Sequence, residues 1–543
     1  MRSHKKQYFA IAALAFLFAA ACGKNTYADA TNINVSTPAQ WYSALQTIHE
    51  SSNSEFIINL DADVIIDDAS VVNNQAIDNG NTVTILGNNH KLKFAISGDN
   101  KIRVNNATLN LGKEGDADGT LSIEGGGSEV TAEKSLLKID SSTINIYEGT
   151  SISNNYSRSY HLVGSALYVG DNSTINMTGG NIHHNVITST EICSAIFLEG
   201  SNSTFNMTGG ELTDNGSDVG DSWGGAIFAY PQNTIIIKNA TVSRNKAGAY
   251  GGALVIYGST LTVENSTFED NETTTTYTDD DSRLGGAILN YATVATITSS
   301  TFTGNKAALG GAIANDSGIV TVSNSIFTNN TSGDKGGAIY STGNYRVISS
   351  NNSFSGNTSN NKGGAIYSQA KQFNSTNDVI TGNTALIGGG VYLDKNENIT
   401  DAGSANLSTA KIYNNKATTN ANDIFISANA ESVQIIDMST VDETAEYGSD
   451  TVKTDDWYTD NAGNRYSTSN VTDVVAYDSL AASTEYSLTA AGEKIDDPTP
   501  DPDPTPDPET IPDNPPTVDE FGAYVTIISI CSLGLAVAIK ARK

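Results

Sequence analysis

The chain has 543 residues, of which 38% are hydrophobic, 8% aromatic and 17% charged. It is too long and too apolar to be disordered throughout, and a large repetitive core fits it best. Sixty acidic against thirty basic residues leave a formal charge of −30, which repels nucleic acid and anionic lipid and favours cations or basic partners. Nucleic-acid binding is excluded on that ground. The wealth of Asn, Ser, Thr and Gly, residues of turns and solvated strand faces, indicates an all-β chain.

Residues 1–30 combine a basic start (Arg2, Lys5, Lys6), an apolar run from Tyr8 to Ala21 and a small-residue end at Ala28, Asp29 and Ala30, the pattern of a secretory signal peptide. Cys22 offers a rival reading as a lipoprotein acylation site, against which Ala19 stands where such sites usually carry Leu. Cys193 and Cys531 are the other cysteines, so no disulfide framework is expected and stability has to come from stacking. In residues 31–54, Trp41, Leu45 and Ile48 fall at helical spacing after Thr37 and Pro38, which predicts a short amphipathic helix capping the first coil.

From residue 55 to 430 the chain reads as a solenoid. The triads GSALY, CSAIF, GGAIF, GGALV, GGAIL, GGAIA, GGAIY, GGAIY and GGGVY start at Gly164, Cys193, Gly224, Gly251, Gly285, Gly310, Gly336, Gly363 and Gly388, 25 to 34 residues apart. In phase with them an apolar residue stands three places before Asn155, Asn185, Asn215, Asn245, Asn271, Asn305, Asn330, Asn357, Asn383 and Asn415. A period near 26 residues with alternating segments and no helical stretch predicts a right-handed parallel β-helix, all-β, with about three short strands per coil and about 14 coils. The Asn column is expected to form an amide ladder and to take the left-handed conformation of a sharp turn. The Gly-Gly pair is expected at a second corner that excludes Cβ atoms. Whether the Ala or the aliphatic column faces the core stays open.

Residues 431–495 lack the triads and read as a small C-terminal β cap module. Residues 496–516 hold nine of the eleven prolines and form an extended Pro/Asp/Thr-rich spacer. In the tail, 517–543, an apolar stretch from Phe521 to Ile539 precedes Lys540, Arg542 and Lys543, as in a membrane-spanning helix with a cytoplasmic basic end.

The GGAI and FxxN marks resemble the repeats of the polymorphic outer-membrane protein family over roughly residues 150–420, and the wider fold resembles the pectate-lyase-like superfold. That resemblance implies a surface adhesin or antigen. The chain departs from the family at its end, which shows no autotransporter barrel, so self-translocation is not expected. NPPTVD (514–519) before the apolar tail resembles instead a Gram-positive cell-wall sorting signal. This implies a sortase and peptidoglycan as partners, with Thr517 as the linkage residue; Asn514 replaces the usual Leu and Val518 the usual Gly.

Catalysis has to be weighed on residues rather than fold. The position before the Asn mark reads His184, Asp214, Arg244 and Asp270 in successive coils, about 4.8 Å apart if stacked. This is either an acid, base and cation constellation or an exposed charge ladder with Arg244 between two carboxylates, and the ladder is the reading adopted. His183 and His184 are expected to point in alternate directions, and Thr213, Ser243, Thr303, Thr328, Ser355 and Thr381 to face solvent. The insertion TTTTYTDDDSR (273–283) carries Asp279, Asp280 and Asp281, candidates for a basic ligand but without the spaced oxygens of a dedicated calcium loop.

The reading is a non-enzymatic, adhesin-like protein of the bacterial cell surface. It needs no cofactor or metal, and its rod binds a glycan or matrix protein of a host or neighbouring cell. Its alternatives are a surface polysaccharide lyase or hydrolase and a passive coat protein.

Overall fold

The computed structural model describes residues 30–495 apart from short segments, among them 275–282, 396–403 and 461–470. The signal peptide, the proline spacer, Thr517, the apolar tail and Asp279 to Asp281 lie outside the described residues. No helix of the described residues is long and apolar enough to cross a membrane.

The fold is a right-handed parallel β-helix, as the repeat predicts, opened by one helix. Strand Thr31–Val35 pairs in parallel with Glu55–Leu60, and the helix Pro38–His49 lies between them in sequence. Thr37 caps it: its hydroxyl accepts from the Gln40 N–H, and the Gln40 side chain accepts from the Ser36 N–H, a reciprocal box that satisfies two otherwise orphaned donors. Trp41, Ala44, Leu45 and Ile48 form its buried stripe. Trp41 meets Phe94 edge-on at 6.5 Å, so the helix plugs the apolar mouth of the coil.

Beyond it, each coil contributes strands to sheets that run the length of the rod. One all-parallel sheet has 15 strands, from Thr31–Val35 to Ser432–Ile435. A second has 13 and carries the apolar residue of the FxxN mark; a third has 15 and follows the glycines. Three strands per coil undercounts the structure, because a fourth sheet of seven short strands lies between the Asn turn and the glycine corner. Its described members, such as Lys246–Ala247, Thr331–Lys335 and Thr358–Ser359, are two to five residues long. Such short runs show no periodicity, so they read as turn.

The open question about the core resolves in favour of both columns. At the glycine corner Ala226 N–H and Ile227 N–H both donate to Ala253 O, at 2.9 and 3.0 Å. This bulge turns consecutive Ala and Ile side chains inward together. The first glycine is left-handed, at φ +64° in Gly224 and +71° in Gly285. A Cβ on the second would lie 2.1 Å from a carbonyl oxygen of the next coil at Gly252 and 2.0 Å at Gly286, so these two coils admit glycine only there, whereas the first two triads carry Ser165 and Ser194. Phe268, Phe302, Phe327 and Phe354 stack in the interior at 4.8 to 4.9 Å.

The Asn ladder forms, but its residues do not take the left-handed conformation. That falls to the residue before: His184 (φ 51°), Asp214 (55°), Arg244 (55°), Asp270 (51°) and Asn329 (55°). The preceding residue turns the chain, and the asparagine side chain is thereby aimed inward. Asn330, fully buried, shows the result. Its Oδ1 accepts from the backbone N–H and the Nδ2 of Asn305, both at 3.0 Å. Its Nδ2 donates to Asn357 Oδ1 and back to Phe302 O, both at 2.9 Å. All amide hydrogen-bonding capacity is thus used without water.

The coil closes at its C-terminal end by reversal of direction. Ile424–Ile426 pairs antiparallel with Tyr486–Ala491, which pairs antiparallel with Asp456–Asp460. The ladder closes there too: Asn415 N–H and Nδ2 donate to Asp423 Oδ1 at 3.1 and 2.9 Å, and Ala490 N–H donates to Asp423 Oδ2 at 2.9 Å. Burial pushes the Asp423 carboxyl up to about 7, outweighing these hydrogen bonds, and Asp460 adds to the rise.

Two predictions follow from the ladder. Asn330→Ala removes two acceptor sites and two donors inside the rod, and each orphaned buried group costs about 1–3 kcal/mol. Urea unfolding should show a loss of about 3 kcal/mol or more, against under about 1 kcal/mol for Thr328→Ala on the same turn. Asp423 binds its proton more tightly in the folded than in the unfolded chain, where its pKa is about 3.9. Its contribution is therefore complete below about pH 4 and lost as pH rises to about 7, by up to roughly 4 kcal/mol. Thermal unfolding at pH 5 and pH 8 should show this fall in the wild type and a flatter profile in Asp423→Asn.

Candidate functional site

The charged turn column is present in the order the sequence gives, yet only part of it comes together. Arg244 holds Asp214 by two parallel bonds, Nε to Oδ1 and Nη2 to Oδ2, each 2.8 Å. That fork holds the Asp214 carboxyl below the usual carboxylate range. Arg244 does not sit between two carboxylates: Asp270 is exposed and exerts only a long-range pull on it. The left-handed turn at each coil fans these side chains outward, and the guanidinium spends its Nε and Nη2 on Asp214 and its Nη1 on Ser243. An exposed pair of this kind contributes little to stability.

The histidines depart from expectation. His183 Nδ1 and His184 Nδ1 lie 2.8 Å apart, and His183 Nε2 lies 2.9 Å from Ser151 Oγ. The left-handed backbone of His184 folds its ring back beside its neighbour, which strict strand alternation does not anticipate. Burial, then the neighbouring His184, lowers the His183 pKa below its ordinary value. Among the described residues no group of three or more metal-ligating side chains gathers here or elsewhere. Thr213 and Ser243 are buried rather than solvent-facing. Arg244 lies over Ser243, Nη1 to Oγ at 3.2 Å, and Thr213 donates to Asn181 Oδ1 at 3.2 Å.

A second site emerges on the outer side of the sheet that follows the glycines. The residue after each core aliphatic points away from the core, giving the column Tyr168, Phe197, Phe228, Val255, Leu289, Ala314, Tyr340, Tyr367, Tyr392 and Phe425. Rings stack along both ends, 5.3 Å for Phe197 on Phe228 and 5.5 Å for Tyr340 on Tyr367. In the middle three coils the rings give way to Val255, Leu289 and Ala314, and the flank sinks into a cleft of about 400 Å³.

Two in-register columns wall this cleft. On one side stand Trp223, Tyr250 and Leu284, with the Trp223 and Tyr250 rings edge to face at 4.6 Å. On the other stand Tyr257, Tyr291 and Asp316. Tyr257 and Tyr291 remain 37% and 41% exposed although their centroids lie 5.2 Å apart. Asp316 is half-buried and accepts a 3.1 Å hydrogen bond from Ser317; it is the one carboxylate in the described lining. The cleft thus combines exposed rings, an apolar floor and a single charge. The signal was present in the sequence as GGALV, GGAIL and GGAIA, where the fifth place loses its ring.

The repeats that follow the cleft have a family counterpart. The Chlamydia polymorphic membrane protein (Chlamydia_PMP) repeat matches residues 299–316, 324–342 and 353–369, each segment spanning one FxxN turn and one glycine corner. No curated protein and no solved structure matches the chain. Three segments of the rod are thus similar to repeats of the polymorphic membrane protein type, and Asp316 closes the first of them.

Proposed function

We propose that this protein is a non-catalytic, adhesin-type binding protein of the cell surface, and that its rod engages a ligand on a host or neighbouring cell through the aromatic cleft. The observation that carries this reading is the exposure of Tyr257 and Tyr291 on a flank whose rings are otherwise stacked against one another. Exposed rings beside an apolar floor lose hydration at little cost and gain contact area when a partner covers them. The similarity to polymorphic membrane protein repeats supports display at the surface. The sorting-like NPPTVD motif with Thr517 completes the proposal as its route to the cell wall.

The charged column does not favour an enzyme. Asp214 is neutralised by Arg244, and its lowered pKa opposes a role as general acid.

Cells displaying the full-length protein should adhere to matrix-coated or host-cell surfaces, and the double variant Tyr257→Ala, Tyr291→Ala should reduce adhesion by about tenfold or more, each ring being worth about 1 kcal/mol in contact. Asp214→Ala and Asp270→Ala should leave adhesion unchanged. Turnover of an acidic glycan that either aspartate variant abolishes would establish the enzyme reading instead.

A further inference from the structure

The cleft has a filled counterpart on the same flank. The wall column continues in register from Leu284 through Leu309 to Lys335, Lys362 and Ile387. Where it turns to lysine, the ammonium lies over the ring of the next coil: Lys335 Nζ is 5.6 Å from the Tyr367 centroid, and Lys362 Nζ is 4.6 Å from that of Tyr392. Lys362 Nζ also stands 3.8 Å from Asp394 Oδ2. Through the register of Asn315 with Ser341, Ser368 and Leu393, Asp394 falls in the column of Asp316. The pattern of a lysine on the wall, a ring in the middle and a carboxylate on the far column is therefore built by the chain itself.

The cleft repeats the carboxylate without the lysine, and its rings stand on the wall and far columns instead of the middle one. Its wall positions are Trp223, Tyr250 and Leu284, and its far column holds Tyr257, Tyr291 and Asp316. Rings present their negative faces to a cation, and the attraction grows as the cation is desolvated between them and paired with a carboxylate. The net charge of −30 draws basic partners over a longer range.

Resting on the binding role of the cleft, we propose that its occupant is a lysine side chain of a basic partner protein, with the ammonium between Tyr291 and Asp316 and the methylene stem on Val255 and Leu289. The stem matches the apolar floor and the ammonium the single charge. A neutral sugar would bring several hydroxyls to a lining with one carboxylate.

The test is ligand-observed NMR on the purified full chain with Nα-acetyl-lysine amide, its uncharged isostere Nα-acetyl-norleucine amide, and cellobiose. The lysine amide should bind at least about tenfold more tightly than the norleucine amide. It should weaken about tenfold in Tyr291→Ala and separately in the isosteric Asp316→Asn, with the circular dichroism of both variants unchanged. Equal binding of the two amides, absence of lysine-amide binding, or lysine-amide binding indifferent to both variants overturns the proposal. Cellobiose binding lost in Tyr291→Ala, without lysine-amide binding, overturns it while leaving the cleft as the binding site. Silence from all three probes, together with adhesion unaffected by the double tyrosine variant, overturns the role of the cleft as well.

Discussion

The amide ladder has one polarity from end to end, and the rod depends on it. Every asparagine from Asn155 to Asn383 gives its backbone N–H to the Oδ1 of the asparagine one coil further on. The chain of dipoles therefore needs an acceptor at its C-terminal end, and the Oδ1 of Asp423 supplies it. At the other end the buried Asn155 Oδ1 is left without a partner among the described residues. Coil length varies freely around this line: Asn271 and Asn305 are 34 residues apart, Asn305 and Asn330 only 25, yet each pair meets at 3.0 Å. The ladder, rather than the length of any loop, sets the register.

Fixing the interior in this way frees the exterior. Ladder asparagines, inward aliphatics and stacked phenylalanines have to match from coil to coil, because each packs on its own counterpart. The outward column after each aliphatic stacks ring on ring at both ends but carries smaller residues in the middle coils, and it is there that the coils differ. Three coils with smaller residues open the cleft, and the adjacent columns provide rings and one carboxylate around it. The same register that makes the rod monotonous places Tyr257, Tyr291 and Asp316 side by side although 59 residues separate the first from the last.

Much of this was legible in the sequence because it repeats. The two marks gave the parallel coil, the capping pattern around Thr37 and Trp41 gave the helix, and the asparagines gave the ladder. What escaped had no repeat of its own. The short fourth strands are too brief for periodicity to register. The left-handed residue was sought in the asparagine, which tolerates that conformation, whereas the buried ladder requires the asparagine to point inward and passes the turn to His184, Asp214, Arg244 or Asp270. The charged column drew notice because charge is conspicuous. The cleft consists of missing rings at Val255, Leu289 and Ala314, and an absence shows only once the column is known to face outward.

Filling the cleft tests the account most directly. Leu289 lines the cleft in the outward column between Val255 and Ala314, and a ring there would fill the opening. Adhesion of cells displaying Leu289→Tyr, with thermal unfolding of the same variant as the control for folding, decides the matter. The account predicts a folded rod that no longer adheres; undiminished adhesion by a folded variant would contradict it.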